Sequence, residues 1–203
     1  MSSTSSLSSG RRRVVVSGIG IVSALGLDED MVWQNLVAGK TGIGMIKSFD
    51  TERLKTHIGA EISEGLVEAK LKNLGRRPVD RSVDLAVVAT HDALVQSGHI
   101  KEGEELEAQE IPIIYGSGTG TMQSHGAGYK TLHEKGAHAL RPSTVPKCMY
   151  NAISGAISMQ FRLTGTNYIV VSACTSGTNA IGVAYRMIRD GYADMVVTGG
   201  SDA

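Results

Sequence analysis

Two side chains in the 203 residues have the chemistry of a covalent nucleophile or soft metal ligand, Cys148 and Cys174. Cys174 sits in "VSACTSGTNA" (171–180), between an apolar run and a cluster of small polar residues. Four roles are open to such a thiol: packing, disulfide, metal ligand or nucleophile. Two cysteines do not make a disulfide framework in a chain of this size. They are also too few for a structural zinc site, and no His-x-x-x-His spacing supplements them. The six histidines, at 57, 91, 99, 125, 133 and 138, pair with no acid or cysteine at a recognisable spacing. His91 reads as structural, and Cys148, inside an apolar helix-like stretch, reads on composition as a buried inert thiol.

The elements around Cys174 give it a different position. "NYIVVSA" (167–173) reads as a strand and "TSGTNAIGVAYRMIRDG" (175–191) as a helix, with Ile181, Ala184, Met187 and Ile188 on one face. The strand delivers Cys174 to the C-terminal edge of a sheet, where open α/β folds place their sites. The helix start offers unpaired N–H groups with partial positive charge. These favour the thiolate and can stabilise an oxyanion on an attacked thioester carbonyl. Position alone leaves a nucleophile and a packing residue as readings, and favours the first.

The other elements follow the same alternation. "RVVVSGIG" (13–20) and "IPIIYGSGTG" (111–120) read as buried strands closed by glycines, and 193–203 as a last strand. "LDEDMVWQNLVAGK" (27–40) reads as a helix capped by Asp28, with Met31, Val32, Leu36 and Val37 at helical spacing and Gly39 at its end. Residues 80–98 read as an amphipathic helix with Val83, Ala86, Val87, Leu94 and Val95 on a stripe and Gly98 at its end; 145–165 reads as another helix. Residues 41–78 need short elements of their own, and "EGEELEAQE" (102–110) is an acidic, solvated loop. The expected class is α/β, with a mainly parallel sheet and helices on both faces. Residues 1–12 are expected to be a disordered Ser-rich tail, and the abrupt end after a buried-type strand suggests the N-terminal part of a longer protein.

Several functions lack support. Net charge is zero, so there is no global pull toward nucleic acid or an acidic membrane surface. No run approaches the ~18 apolar residues of a membrane span, and no secretory signal follows "RRR" at 11–13, so a cytoplasmic location is expected. "GIGIVSALG" (18–26) puts Ser23 where the dinucleotide fingerprint needs its third glycine, and "GSGTG" (116–120) lacks the Gly-Lys-Ser/Thr of a phosphate loop. Neither a cofactor nor a metal is expected.

The stretch "VSACTSGTNAIGVAYRMIRDGYADMVVTGGSDA" resembles the active-site region of the β-ketoacyl-acyl-carrier-protein synthases, most closely the elongating synthase II type and the related type II polyketide ketosynthases. "RRVVVSGIGIVSALG", "IIYGSGTG" and "RPSTVPKCMYNAISGAISMQFRLTGTNYIVVSAC" extend the resemblance over about residues 12–203. It implies a thiolase-like fold, with 13–203 as the N-terminal half around a five-stranded type of sheet. It implies that Cys174 accepts an acyl chain, which then undergoes decarboxylative Claisen condensation with a malonyl unit in fatty-acid or polyketide synthesis. The resemblance puts Thr119 where the family lines its acyl pocket, Thr144 and Cys148 on a substrate-binding segment that reaches toward the partner subunit's pocket, and Lys72, Arg76 and Arg77 on a basic patch for acidic carrier protein. The implied partners are acyl- and malonyl-loaded carrier protein and a second ketosynthase subunit, in a homodimer or heterodimer paired through strand 168–172. Two histidines and a lysine of the family's second half are absent, so a catalytically incomplete fragment or partner subunit is the alternative. Chain-length-factor partners usually lack the cysteine that stands here.

Overall fold

The computed structural model describes residues 12–101 and 106–203; the tail assigned to 1–12 and the acidic loop at 102–110 therefore lie largely or partly outside the described residues. In chain order the elements are α1 (Glu29–Val37), β1 (Gly44–Met45), β2 (Ile58–Gly59), α2 (Glu64–Asn73), α3 (Arg81–Gln96), β3 (Ile113–Gly116), α4 (Met122–Lys135), α5 (Thr144–Cys148), α6 (Ala152–Phe161), β4 (Asn167–Val170), α7 (Ser176–Arg189) and β5 (Val197–Gly200). Short 3-10 turns cover Ala137–Ala139 and Ala173–Thr175.

The sheet is parallel, ordered β4-β3-β5, with Ile113 opposite Asn167 on one side and Val197 on the other. Parallel neighbours need crossover connections, and here α6 and α7 supply them. β3 is buried at all four residues, as a central strand covered on both faces should be. Ile113 and Tyr115 join one core with Ile153 and Ile157 of α6 and Val83, Ala86 and Val87 of α3. Ile114, on the alternate face, is fully buried outside that cluster, as are Ala180 and Ala184 of α7. The two-sided α/β architecture expected from the sequence is therefore present.

Three expectations need correction. The sheet has three strands among the described residues, not five. Residues 13–20 form no strand, and Val15 and Val16 are exposed. A β-branched run makes a strand only where a neighbour accepts its hydrogen bonds. Here Gly18 and Gly20 press instead on the α3 backbone, where a Cβ would collide with the carbonyls of Ala93 and Ala89. The helix expected over 145–165 is two helices, because Met149 is extended (ψ 142°) and interrupts the turn between them.

α7 buries Ala184 of the expected stripe and half-buries Met187 and Ile188, but its innermost position is Ala180 and not Ile181. Ala180 and Ala184 face inward, whereas Ile181 is half exposed. Small residues win the inner face because the helix lies so close to the sheet. A Cβ on Gly116 would collide with the Ser176 carbonyl, and one on Gly200 would stand 2.9 Å from the Cα of Gly177. α4, rich in glycine and polar residues, buries nothing and gave no periodic signal.

Candidate active site

Cys174 emerges where β4 ends. It lies in the 3-10 turn Ala173–Thr175, immediately before α7, and is an exposed free cysteine. The position expected from the sequence is the observed one. Ala173 adopts φ 52°, a left-handed backbone that costs an L-residue with a Cβ roughly 1–2 kcal/mol. Such strain persists only where the surroundings hold it.

Four side chains hold it, and the sequence reading assigned none of them a role. Ser176 is buried; its Oγ accepts from the Ser172 N–H (2.9 Å) and donates to the Ala173 carbonyl (2.7 Å). Thr175 Oγ1 donates to the Ser172 carbonyl at 2.8 Å. Asn179, one turn into α7, donates to Ser172 Oγ at 2.7 Å. The cysteine is thus carried on a turn stapled to both the strand before it and the helix after it. The thiol faces solvent, so packing is not its role, and the nucleophile reading is the one the geometry favours.

The "GSGTG" turn adjoins this elbow. A Cβ on Gly118 would stand 3.2 Å from the Ala173 carbonyl oxygen. The turn is gathered around one carboxylate, Asp202, which follows β5. Its Oδ1 accepts from Ser117 Oγ (2.8 Å), the Gly118 N–H (3.0 Å), the Thr119 N–H (2.9 Å) and Thr119 Oγ1 (2.9 Å). Burial, the largest single influence, pushes this carboxyl up; the donors on Thr119, Gly118 and Ser117 together outweigh it and hold the group below the usual carboxylate value. No local pattern could have revealed Asp202, since its partners lie 83–85 residues away.

The remaining expected residues are dispersed. Thr119 is exposed, with its hydroxyl engaged by Asp202. Thr144 and Cys148 bound α5, which packs on α4, and both are half-buried. Cys148 is therefore not the fully buried thiol its composition suggested. Thr144 lines a 420 Å³ cleft between α4 and α5 with Gly128, Arg141 and Lys147. Lys72 and Arg77 are exposed. Arg76 is half-buried; burial lowers its pKa, opposed by the charge of Asp84. His91 stacks on Phe161 and sits 3.2 Å from Asp92, which supports its structural reading. Among the described residues no group of three or more His, Cys, Asp or Glu is placed to hold a metal.

The comparisons with known proteins converge on this elbow's family. A model of the β-ketoacyl synthase N-terminal domain matches residues 11–203. A 3-oxoacyl-[acyl-carrier-protein] synthase 2 of Staphylococcus aureus strain COL is 33% identical over 192 residues, which are 95% of this chain and 46% of the relative. The protein of the same name from Coxiella burnetii is 35% identical over the same shares. This chain spans about half the length of those relatives. Among solved structures, the ishigamide ketosynthase/chain length factor superposes with a TM-score of 0.83 at 25% identity, over 96% of this chain and 48% of its own. A type II polyketide acyl-carrier protein in complex with its ketosynthase gives 0.69 at 21% identity, over 95% and 52%.

Proposed function

This chain belongs to the β-ketoacyl synthase family, and on that premise we propose that it is the cysteine-bearing part of an acyl-condensing enzyme with a thiolase-like fold. The observation that carries the reading is Cys174, exposed on a held turn between the C-terminal end of a parallel strand and the start of α7. Its thiolate attacks the carbonyl of an acyl thioester. The tetrahedral oxyanion sits against backbone N–H groups of the elbow, that of Cys174 among them. Collapse expels the carrier thiolate, which takes up a proton, and leaves the acyl group on Cys174. In the whole protein, a malonyl thioester then loses carbon dioxide, and its carbanion attacks the Cys174 thioester to release a 3-oxoacyl product. The acyl transfer and the final attack both take place at Cys174 of this chain.

The substrates are proposed to arrive on acyl carrier protein, with Lys72 and Arg77 available to acidic partners on the surface. Thr119, Thr144 and Cys148 are proposed to border the acyl chain's path. β4 is an outer strand of the sheet, which supports pairing with a second ketosynthase subunit across that edge. Fatty-acid and polyketide synthesis share this first step.

Incubation with an acyl-loaded carrier protein, followed by intact-mass measurement, tests the reading. Wild type is expected to gain one acyl group, and Cys174→Ala none. An acyl adduct that persists in Cys174→Ala overturns it.

A further inference from the structure

The "GSGTG" turn and the cysteine elbow lie close at Gly118, where a Cβ would stand 3.2 Å from the Ala173 carbonyl oxygen, and at Gly116, where one would collide with the Ser176 carbonyl. A turn of this composition has little shape of its own, since glycine admits many backbone conformations. Its shape here comes from Asp202, whose carboxylate gathers two hydroxyls and two N–H groups of consecutive residues. The neighbouring bonds extend the hold. Ser117 Oγ accepts from the Gly120 N–H (2.9 Å), Ser82 Oγ donates to the Gly120 carbonyl (2.9 Å), and Ser201 Oγ donates to the Ser82 carbonyl (2.8 Å). One side of the elbow is therefore walled by a loop that is fixed largely by residues after β5 and in α3, with one bond of its own between Ser117 and Gly120.

We infer that Asp202 is a positioning residue for Cys174: its carboxylate sets the 117–120 turn, and the turn keeps Ala173 left-handed and the thiol presented to solvent. The part of this that concerns acyl transfer rests on the reading above; the part that concerns thiol geometry does not. With the carboxylate removed, Gly118 and Thr119 lose their acceptor, the turn relaxes, and the hydrogen bonds of Ser172, Thr175, Ser176 and Asn179 are left to hold Ala173 alone. Asp202 touches no reacting atom. It acts through the turn.

The two free cysteines give the chain an internal reference, because Cys148 ends α5 and takes no part in the Asp202 bonds. The test is competitive alkylation of the full chain by limiting iodoacetamide, with the Cys174 to Cys148 ratio read by peptide mass mapping. Asp202→Ala is expected to lower the ratio about tenfold, less than the roughly hundredfold that a 1 Å misplacement can cost an oriented reaction. Asp202→Asn keeps an oxygen where Oδ1 takes its four contacts, and is expected to fall between Ala and wild type. A general loss of fold would also lower the ratio, by exposing the half-buried Cys148, so circular dichroism must show each variant folded before its ratio is read. Should Asp202→Ala fail to fold, Ser117→Ala removes one of the same bonds and is expected to shift the ratio in the same direction. A ratio within twofold of wild type in the folded Asp202 variants, or one that rises, overturns the inference. Acyl transfer from loaded carrier protein is measured on the same samples. If the ratio shifts as expected but wild type takes no acyl group, the proposed function fails and the positioning role of Asp202 stands.

Discussion

α1 and α3 begin alike and end in different places. Each opens on an aspartate cap: Asp28 accepts from the Met31 N–H at 2.7 Å and Asp80 from the Ser82 N–H at 3.2 Å. Each ends before a left-handed glycine, Gly39 at φ 67° and Gly98 at φ 71°. Each spaces apolar residues at helical intervals. Yet α3 buries nine of its residues, among them Val83, Ala86, Val87 and Leu94, while α1 buries none and leaves Met31, Trp33, Leu36 and Val37 exposed. Local sequence decides that a helix forms, through caps and periodicity. What the helix is worth to the fold depends on what packs against it.

The sharpest way to break that comparison is to truncate one side chain beside each helix. Ile157 of α6 is fully buried in the core that α3 shares. Ile157→Ala is expected to cost about 2–5 kcal/mol, because the close packing leaves a cavity that collapses only in part. Trp33→Ala in α1 should stay within about 0.5 kcal/mol. Urea denaturation followed by circular dichroism measures both, since Trp33 is the only tryptophan. Equal losses would mean that α1 is packed as α3 is.

A smaller effect separates the two helices by pH. Asp84, in the first turn of α3, is buried, which pushes its pKa up to about 6 against the N–H of Val79 and the charge of Arg76. Its folded pKa stands above the ordinary 3.8, so the native state binds the proton more tightly than the unfolded chain. Stability should therefore fall as pH rises from about 4 to about 6, by at most about 3 kcal/mol, and then stay level. Asp84→Asn should remove that slope in denaturation midpoints taken across the range. The acids in the first turn of α1, Glu29 and Asp30, are exposed.

The least difference is expected at the caps. Asp80 also accepts from the Ser124 N–H of α4 and from Ser82 Oγ, both at 2.8 Å, so Asp80→Ala strips buried donors as well as a cap. A loss of about 2 kcal/mol is expected there, against about 1 kcal/mol or less for Asp28→Ala. Thermal melts of the two variants check the ranking.

The same division explains what the sequence revealed of the site. Cys174 was legible because a strand, a run of small residues and a helix stand in order within "YIVVSACTSGT", and that order alone sets the thiol at a sheet edge. The buried stripe of α3 was legible from its spacing. The strand expected at 13–20 was not recoverable, because an apolar run does not say whether a neighbour accepts its hydrogen bonds. Asp202 and Ser117 were invisible for a related reason: their partnership is made by the sheet, across 85 residues of chain. Ser176 and Asn179 stood beside the cysteine in plain sight, but a hydroxyl or an amide in a helix start has too many ordinary uses to be singled out.

The contacts of Gly116, Gly177 and Gly200 beneath the elbow have a mechanical consequence. Side chains cushion a displacement by turning about their χ bonds. Here backbone lies on backbone, with no torsion between them that can turn without moving the chain itself. A shift of a few tenths of an ångström in β3 or β5 is passed undamped to the first turn of α7, and so to the sulfur two residues before it. The floor under the thiol is a rigid lever with its fulcrum in the sheet.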